Sequence, residues 1–248
     1  SPMLDKLSHV CAQGERDFDN YKKLGIRNDR ITLTNNIKFD QAFEVNSDSA
    51  FLGLQRGTRN IMVAGSTHEP EELALLDAYR SLVIAHPDLL LILVPRHPER
   101  FDVVARLLET QSVSFVKSSQ TQSRAADCGV VLLDEMGRLN QAYQIADFSF
   151  VGGSLADKGG HNALEPAAMG VPVIMGPHTY NNPVICQYLE EKGALTIVND
   201  ADGIQNCLAN WLKTPEEARR AGRAGQDVIE ENSGAVEKTL TCLDKVLG

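Results

Sequence analysis

Residues 148–178 read F-S-F-V-G-G-S-L-A-D-K-G-G-H-N-A-L-E-P-A-A-M-G-V-P-V-I-M-G-P-H. An apolar run, Phe148 to Val151, stops at a glycine pair. A second pair, Gly159-Gly160, precedes a helix-forming stretch, and another apolar run, Val171 to Met175, follows it. A strand, a tight turn, a helix and a second strand are thus packed into about thirty residues, the length of a parallel β-α-β unit. The same alternation extends outward in both directions. Apolar runs at 61–64, 89–94, 113–116, 130–133 and 195–198 are separated by amphipathic or polar stretches, including 69–86 and 99–109. Continuous apolar runs, rather than alternating ones, mark strands covered on both faces. The predicted architecture is therefore an α/β, Rossmann-like doubly wound parallel sheet.

The two ends read differently. Residues 9–12 and 31–34 predict strands bracketing a helix over 15–24, one β-α-β unit too small to be a domain by itself. Residues 45–59 are polar and aperiodic, like a linker. Residues 216–247 predict two charged helices broken near Asn232-Ser233-Gly234. The resulting division is 1–44, a linker at 45–59, and a main domain at 60–248. The opening Ser1-Pro2-Met3-Leu4 is abrupt and predicts that a longer protein precedes it.

Charge and cysteine usage narrow the function. A formal charge of −9 argues against a nucleic-acid partner, which calls for a Lys/Arg excess to replace counterions. Five scattered cysteines without a C-x-x-C pair fit a reducing compartment. The apolar runs are too short to span a bilayer, and the segment itself is predicted to be soluble.

In open parallel sheets, ligands sit beyond the carboxyl ends of the strands. The residues there are Gly65-Ser66-Thr67-His68, Pro95-Arg96-His97-Pro98, Asp134 to Arg138, Gly152 to Gly170 and Gly176-Pro177-His178. Gly152, Gly153, Gly159 and Gly160 allow close backbone approach to a ligand, and a helix predicted to start near His161 or Asn162 offers unpaired N–H groups to a phosphate. Glu165, one turn further, can accept ribose hydroxyls; the alternative is a carboxylate that only complements the helix dipole. Arg96, stiffened by Pro95 and Pro98, suits a phosphate or a sugar carboxylate. Met136-Gly137-Arg138 can face a base. His68, His97, His161 and His178 all fall on this rim, but without close-spaced ligand pairs no metal is predicted, and no cofactor. Asp17-Phe18-Asp19 reads as a solvated helix face.

Ordered motifs along nearly the whole chain carry a resemblance: A-Q-G-E near Gln13, N-I-K-F-D at 36–40, G-S-T-H at 65–68, V-P-R-H-P-E-R-F at 94–101, M-G at 136–137, V-G-G-S-L at 151–155, G-G-H-N-A-L-E-P-A-A at 159–168 and G-P-H at 176–178. The sequence resembles the 3-deoxy-D-manno-oct-2-ulosonic acid (Kdo) transferases of lipopolysaccharide synthesis. It departs from them at Pro70, at Glu135 to Arg138 and at Asn182. The resemblance implies the C-terminal half of a two-domain GT-B glycosyltransferase, with the last β-α-β unit of the acceptor domain at 1–44. It implies a CMP-Kdo donor held by Ser66, Pro95, Arg96, Met136, Gly137, Arg138, Gly153, Ser154, Gly160, His161, Asn162, Ala163, Leu164 and Glu165. Lys38 matches a transition-state-stabilising lysine, while the general base belongs to the absent acceptor domain. The implied acceptor is a lipid A precursor, and the implied location is the cytoplasmic face of the bacterial inner membrane, with membrane contact only through the absent domain. Two alternatives stay open: a UDP-sugar 2-epimerase or another GT-B enzyme, and a non-catalytic nucleotide-binding module.

Overall fold

A computed structural model of the chain describes residues 3–40, 50–120 and 128–247. The chain divides into two compact units, Ser1–Phe43 with Asp227–Gly248, and Glu44–Gln226.

In the smaller unit, β1 (Val10–Ala12), α1 (Glu15–Lys23) and β2 (Ile31–Leu33) form the predicted β-α-β unit, with β1 and β2 parallel and Val10 opposite Ile31. Val10, Ala12 and Ile31 are buried, and Phe18, Tyr21 and Ile26 pack on them. Asp17 and Asp19 lie on α1, a helix without buried residues. The C-terminal helix α9 (Ala235–Leu247) belongs to this unit. Its first turn is capped from far along the chain, since Gly234 N and Val236 N donate to the two carboxylate oxygens of Asp40 at 2.6 Å each. Orphan N–H groups of a helix start favour a carboxylate in this way. Lys38 lies in the 3-10 turn Ile37–Asp40 that carries Asp40.

The larger unit is built on a parallel sheet. Its strands are β3 (Ile61–Thr67), β4 (Leu90–Pro95), β5 (Phe115–Lys117), β6 (Val130–Leu132), β7 (Phe148–Val151), β8 (Val173–Met175) and β9 (Leu195–Ile197). Among the described residues their order is β5-β6-β4-β3-β7-β8-β9, every pairing parallel. Within the continuous apolar runs the side chains still alternate. Met62, Ala64, Leu91 and Leu93 face one core with α2 (Glu71–Val83), α3 (Phe101–Thr110) and α7 (Ala201–Lys213). Ile61, Val63, Leu90 and Ile92 face the other, with α4 (Leu139–Gln144). Each fully buried aliphatic side chain contributes roughly 1.5–3 kcal/mol.

Three departures from the sequence reading have local causes. The strand expected at 113–116 is shifted to Phe115–Lys117, because Val113 N still donates to Leu108 O at the end of α3. Of the linker expected over 45–59, residues 45–49 lie outside the described residues; beyond them, Phe51 and Leu54 exchange backbone hydrogen bonds of 2.9 Å and are buried with Leu52 in the second core. The helix expected from His161 or Asn162 starts at Leu164 and is only five residues long (α5, Leu164–Ala168). Asn162 Oδ1 accepts from Leu164 N at 3.2 Å, an Asx-type turn that holds the preceding backbone outside the helix.

From β3 the chain proceeds to β4 on one side, and after β6 it returns to lay β7 on the other side of β3. The carboxyl ends of β3 and β7 therefore form a topological switch point, where a crevice opens.

Candidate functional site

A cavity of about 370 Å³ lies at that switch point. Ser66 reaches it from β3, Val94, Pro95 and Arg96 from the end of β4, and Glu135, Met136 and Gly137 from the loop after β6. Val151 closes β7, and His161, Asn162 and Glu165 supply the far wall, with Tyr143 of α4 beneath. Ser66 has φ +55° and sits at a register shift between Gly65 and Thr67, a bulge that turns its side chain out of the ladder. Gly65 is fixed by packing, because a Cβ there would overlap the Tyr143 hydroxyl.

The other expected residues lie elsewhere. The Ser154 hydroxyl donates to Val151 O (2.6 Å) and accepts from Gly176 N (2.8 Å), so it knits strand ends together. Arg138 pairs with Glu135 at 2.9 Å, donates to Gln141 and stacks over Phe51, 4.9 Å from the ring centroid, a cation–π contact that turns its guanidinium aside. Ala163 and Leu164 are fully buried. Gly153 and Gly160 shape the loop, both at φ +71°, and a Cβ on Gly153 would crowd the His161 ring at 3.0 Å. Lys38 lies in the smaller unit.

Behind the cavity is a residue the sequence reading overlooked. Glu71, 0% exposed, accepts five backbone N–H bonds. Its Oε2 takes those of His68 (2.9 Å) and Gly153 (2.8 Å), and its Oε1 those of Ser154, Leu155 and Ala156 (2.9, 2.9 and 3.1 Å). Burial raises the carboxyl above its ordinary value, and the amides pull it back. One buried charge therefore fixes both the glycine loop and the loop carrying His68. In sequence, E-P-E-E at 69–72 looks like ordinary acidic helix-start composition, which hid this role. Its neighbour Glu72, also buried, accepts from Arg100 Nη2 at 3.0 Å on both oxygens and from Thr67 Oγ1 at 3.0 Å.

Three of the four rim histidines gather. His68 and His161 stack with ring centroids 5.1 Å apart and their Nε2 atoms 2.8 Å apart, and His97 meets His68 edge-on at 5.6 Å. His178 instead turns to Asp157 at 3.3 Å. Burial first, then the charges of His68, Arg96 and His97, hold His161 down at about 4. Burial raises Glu165 above the usual carboxyl range, opposed by a 3.3 Å hydrogen bond from Asn162 Nδ2 and by Arg96. The cavity thus combines one exposed guanidinium, a half-buried carboxylate and neutral imidazole, a set that can bind an anion at one end and hydroxyls at the other.

Comparison with known proteins gives the arrangement its family. The model of group 1 glycosyl transferases matches residues 73–228, and that of 3-deoxy-D-manno-octulosonic-acid transferase (kdotransferase) matches residues 1–41. The chain is 38% identical to the 3-deoxy-D-manno-octulosonic acid transferase of Haemophilus influenzae and 30% identical to that of Bordetella pertussis, over 99% of its own length in each case. It spans 58% of the length of each of these relatives. Among solved structures it is similar to the C-terminal CMP-Kdo binding domain of WaaA from Acinetobacter baumannii, at 34% identity and a TM-score of 0.64, covering 70% of this chain and 90% of that domain. With a group 1 model over more than half its length and a solved domain matched over nine-tenths of its own, the chain belongs to the group 1 glycosyl transferases and, within them, to the 3-deoxy-D-manno-octulosonic acid transferases.

Proposed function

We propose that this chain is the donor-binding part of an inverting glycosyltransferase that moves Kdo from CMP-Kdo to a lipid A precursor in lipopolysaccharide synthesis. The observation that carries the reading is the cavity at the β3/β7 switch point, where Arg96 and Glu165 face one space of about 370 Å³. In the proposed pose Arg96 holds the phosphate with its planar fork, and Glu165 accepts the ribose hydroxyls. Met136 and Gly137 lie along the cytosine. The leaving nucleotide gains negative charge as an oxocarbenium-like state forms, and fixed donors aimed at that charge lower the barrier. With α5 so short, this task falls to Arg96 and the loop groups more than to a helix dipole. Lys38, an exposed cation, is proposed as a further transition-state stabiliser. The general base that deprotonates the acceptor is assigned to the acceptor domain, so these 248 residues bind the donor without turning it over. Among the described residues no helix is long and apolar enough to cross a membrane. The complete enzyme is proposed to act at the cytoplasmic face of the bacterial inner membrane, with contact made by the acceptor domain.

A calorimetric panel of CMP, UMP, UDP and NAD tests the assignment. CMP is expected to bind most tightly. UDP binding as tightly or more tightly would replace the Kdo donor with a UDP-sugar, as in an epimerase or another GT-B enzyme.

A further inference from the structure

Two loops that meet at the cavity each contribute one imidazole, and the contact between them is a chemical constraint. Nε2 of His68 and Nε2 of His161 are 2.8 Å apart, with ring planes only 9° from parallel. A hydrogen bond of that length holds one proton, so one ring donates and the other accepts. The ring that accepts already carries its own proton on Nδ1, so the pair can take up a further proton at the Nδ1 of the donating ring or by breaking the contact, and then carries a full positive charge beside the cavity. Nothing about this arrangement is loose. His68 N and Gly153 N both donate to Glu71 Oε2, Gly160 N donates to Gly153 O (2.8 Å), and His161 N donates to Gly152 O (3.0 Å). The missing Cβ of Gly153 leaves the room that the His161 ring occupies.

Burial first, and then the charges around the pair, disfavour its protonation in the free chain. Arg96, His97 and Arg100 face it from the loop after β4, and Lys158 from the glycine loop. On the side of α2 stands Glu71, whose carboxylate is engaged by five backbone amides. Burial and this cationic surround hold both imidazoles below their ordinary value. A phosphodiester held between Arg96 and His161, both of which line the cavity, would add an anion that offsets part of that field. An opposite charge within a few ångströms favours the protonated form.

We infer that the His68–His161 pair is a protonation-linked receptor for the donor's phosphodiester, taking up one proton as the nucleotide binds, with Glu71 as the positioning residue that holds the two rings in contact. The inference rests on the nucleotide-binding reading above. It assigns His68, which does not itself line the cavity, a role exerted through His161. It also makes affinity depend on pH. With fewer protons on the free protein than on the complex, affinity rises as pH falls through the bound-state value, by up to about tenfold per pH unit for one proton.

The test uses the whole chain with ¹⁵N-labelled histidine and a probe that does not titrate near neutrality, cytidine 5′-methyl phosphate, with uridine 5′-methyl phosphate as its counterpart. Imidazolium nitrogens resonate together, whereas those of a neutral ring are widely split, so the spectrum reads protonation directly. The expected result near pH 7 is that the signals of His68 and His161, assigned with His68→Asn, move to the imidazolium pattern when the cytidine diester binds. In His68→Asn the remaining His161 signal and the pH slope of affinity should both lose this response while the melting temperature is kept. If His68→Asn unfolds, His68→Gln and His161→Gln supply the assignment, and the wild-type spectrum still decides. A diester that binds while both rings stay neutral overturns the inference and leaves the donor reading standing. Tighter binding of the uridine diester with the imidazolium pattern keeps the inference and overturns the CMP assignment. Absence of binding by either diester overturns both.

Discussion

The back and the front of the cavity are built on opposite principles. At the back, the loop Gly153 to Ala156 has its amides tied to the buried carboxylate of Glu71, and the Ser154 hydroxyl both donates and accepts. At the front, Arg96 and Met136 are exposed and Glu165 is half-buried. A buried charge is tolerated only when it is fully hydrogen-bonded, and it then rigidifies what it touches. Exposed groups cost little to hold and are available to a ligand. The comparison teaches that a carboxylate in the first turn of a helix can be built in two ways: Glu71 is consumed by structure, whereas Glu165 is left open for the binding role proposed for it.

The largest effect should come from breaking the back wall. Glu71→Ala strands five backbone donors, and since one orphaned buried donor costs about 1–3 kcal/mol, we expect a loss of at least about 3 kcal/mol in urea unfolding together with loss of nucleotide binding. A variant of wild-type stability would mean that the loop finds other partners and that the wall is not built on Glu71.

A smaller and more selective effect is expected at the front. Glu165→Gln keeps the shape and one acceptor but loses the charge, so CMP binding should weaken by roughly 1–3 kcal/mol, about 5- to 150-fold, with stability little changed. Calorimetry beside a thermal melt separates the outcomes. A lower melting temperature with unchanged CMP affinity would make Glu165 a structural residue like Glu71 and erase the contrast.

Much of this was legible in the sequence. The sheet followed from runs such as Leu89 to Val94, because strands covered on both faces leave no room for polar residues. The strand-end rule located Ser66, Arg96, Met136 and Glu165, since a parallel sheet brings its carboxyl ends to one rim whatever the distance along the chain. Contacts specified by geometry alone were not legible. Nothing in the chain announces that His68 and His161, 93 residues apart, share a hydrogen bond, or that Glu71 is buried rather than solvated. The helices α4, α7 and Pro183–Glu191 lay in stretches read only as spacers, although Asp200, which accepts from Gly203 N at 2.8 Å, signals the start of α7. The five-residue α5 was overestimated because its Ala-Leu-Glu composition is helix-forming, whereas the Asx turn at Asn162 takes the preceding residues out of the helix.

What occupies the cavity decides the donor assignment, and a crystal structure of the chain with saturating CMP tests that most directly. The prediction is CMP at the β3/β7 switch point, its phosphate within hydrogen-bond distance of the Arg96 guanidinium and its ribose hydroxyls on Glu165. CMP bound elsewhere on the chain, or a cavity left empty, would contradict it.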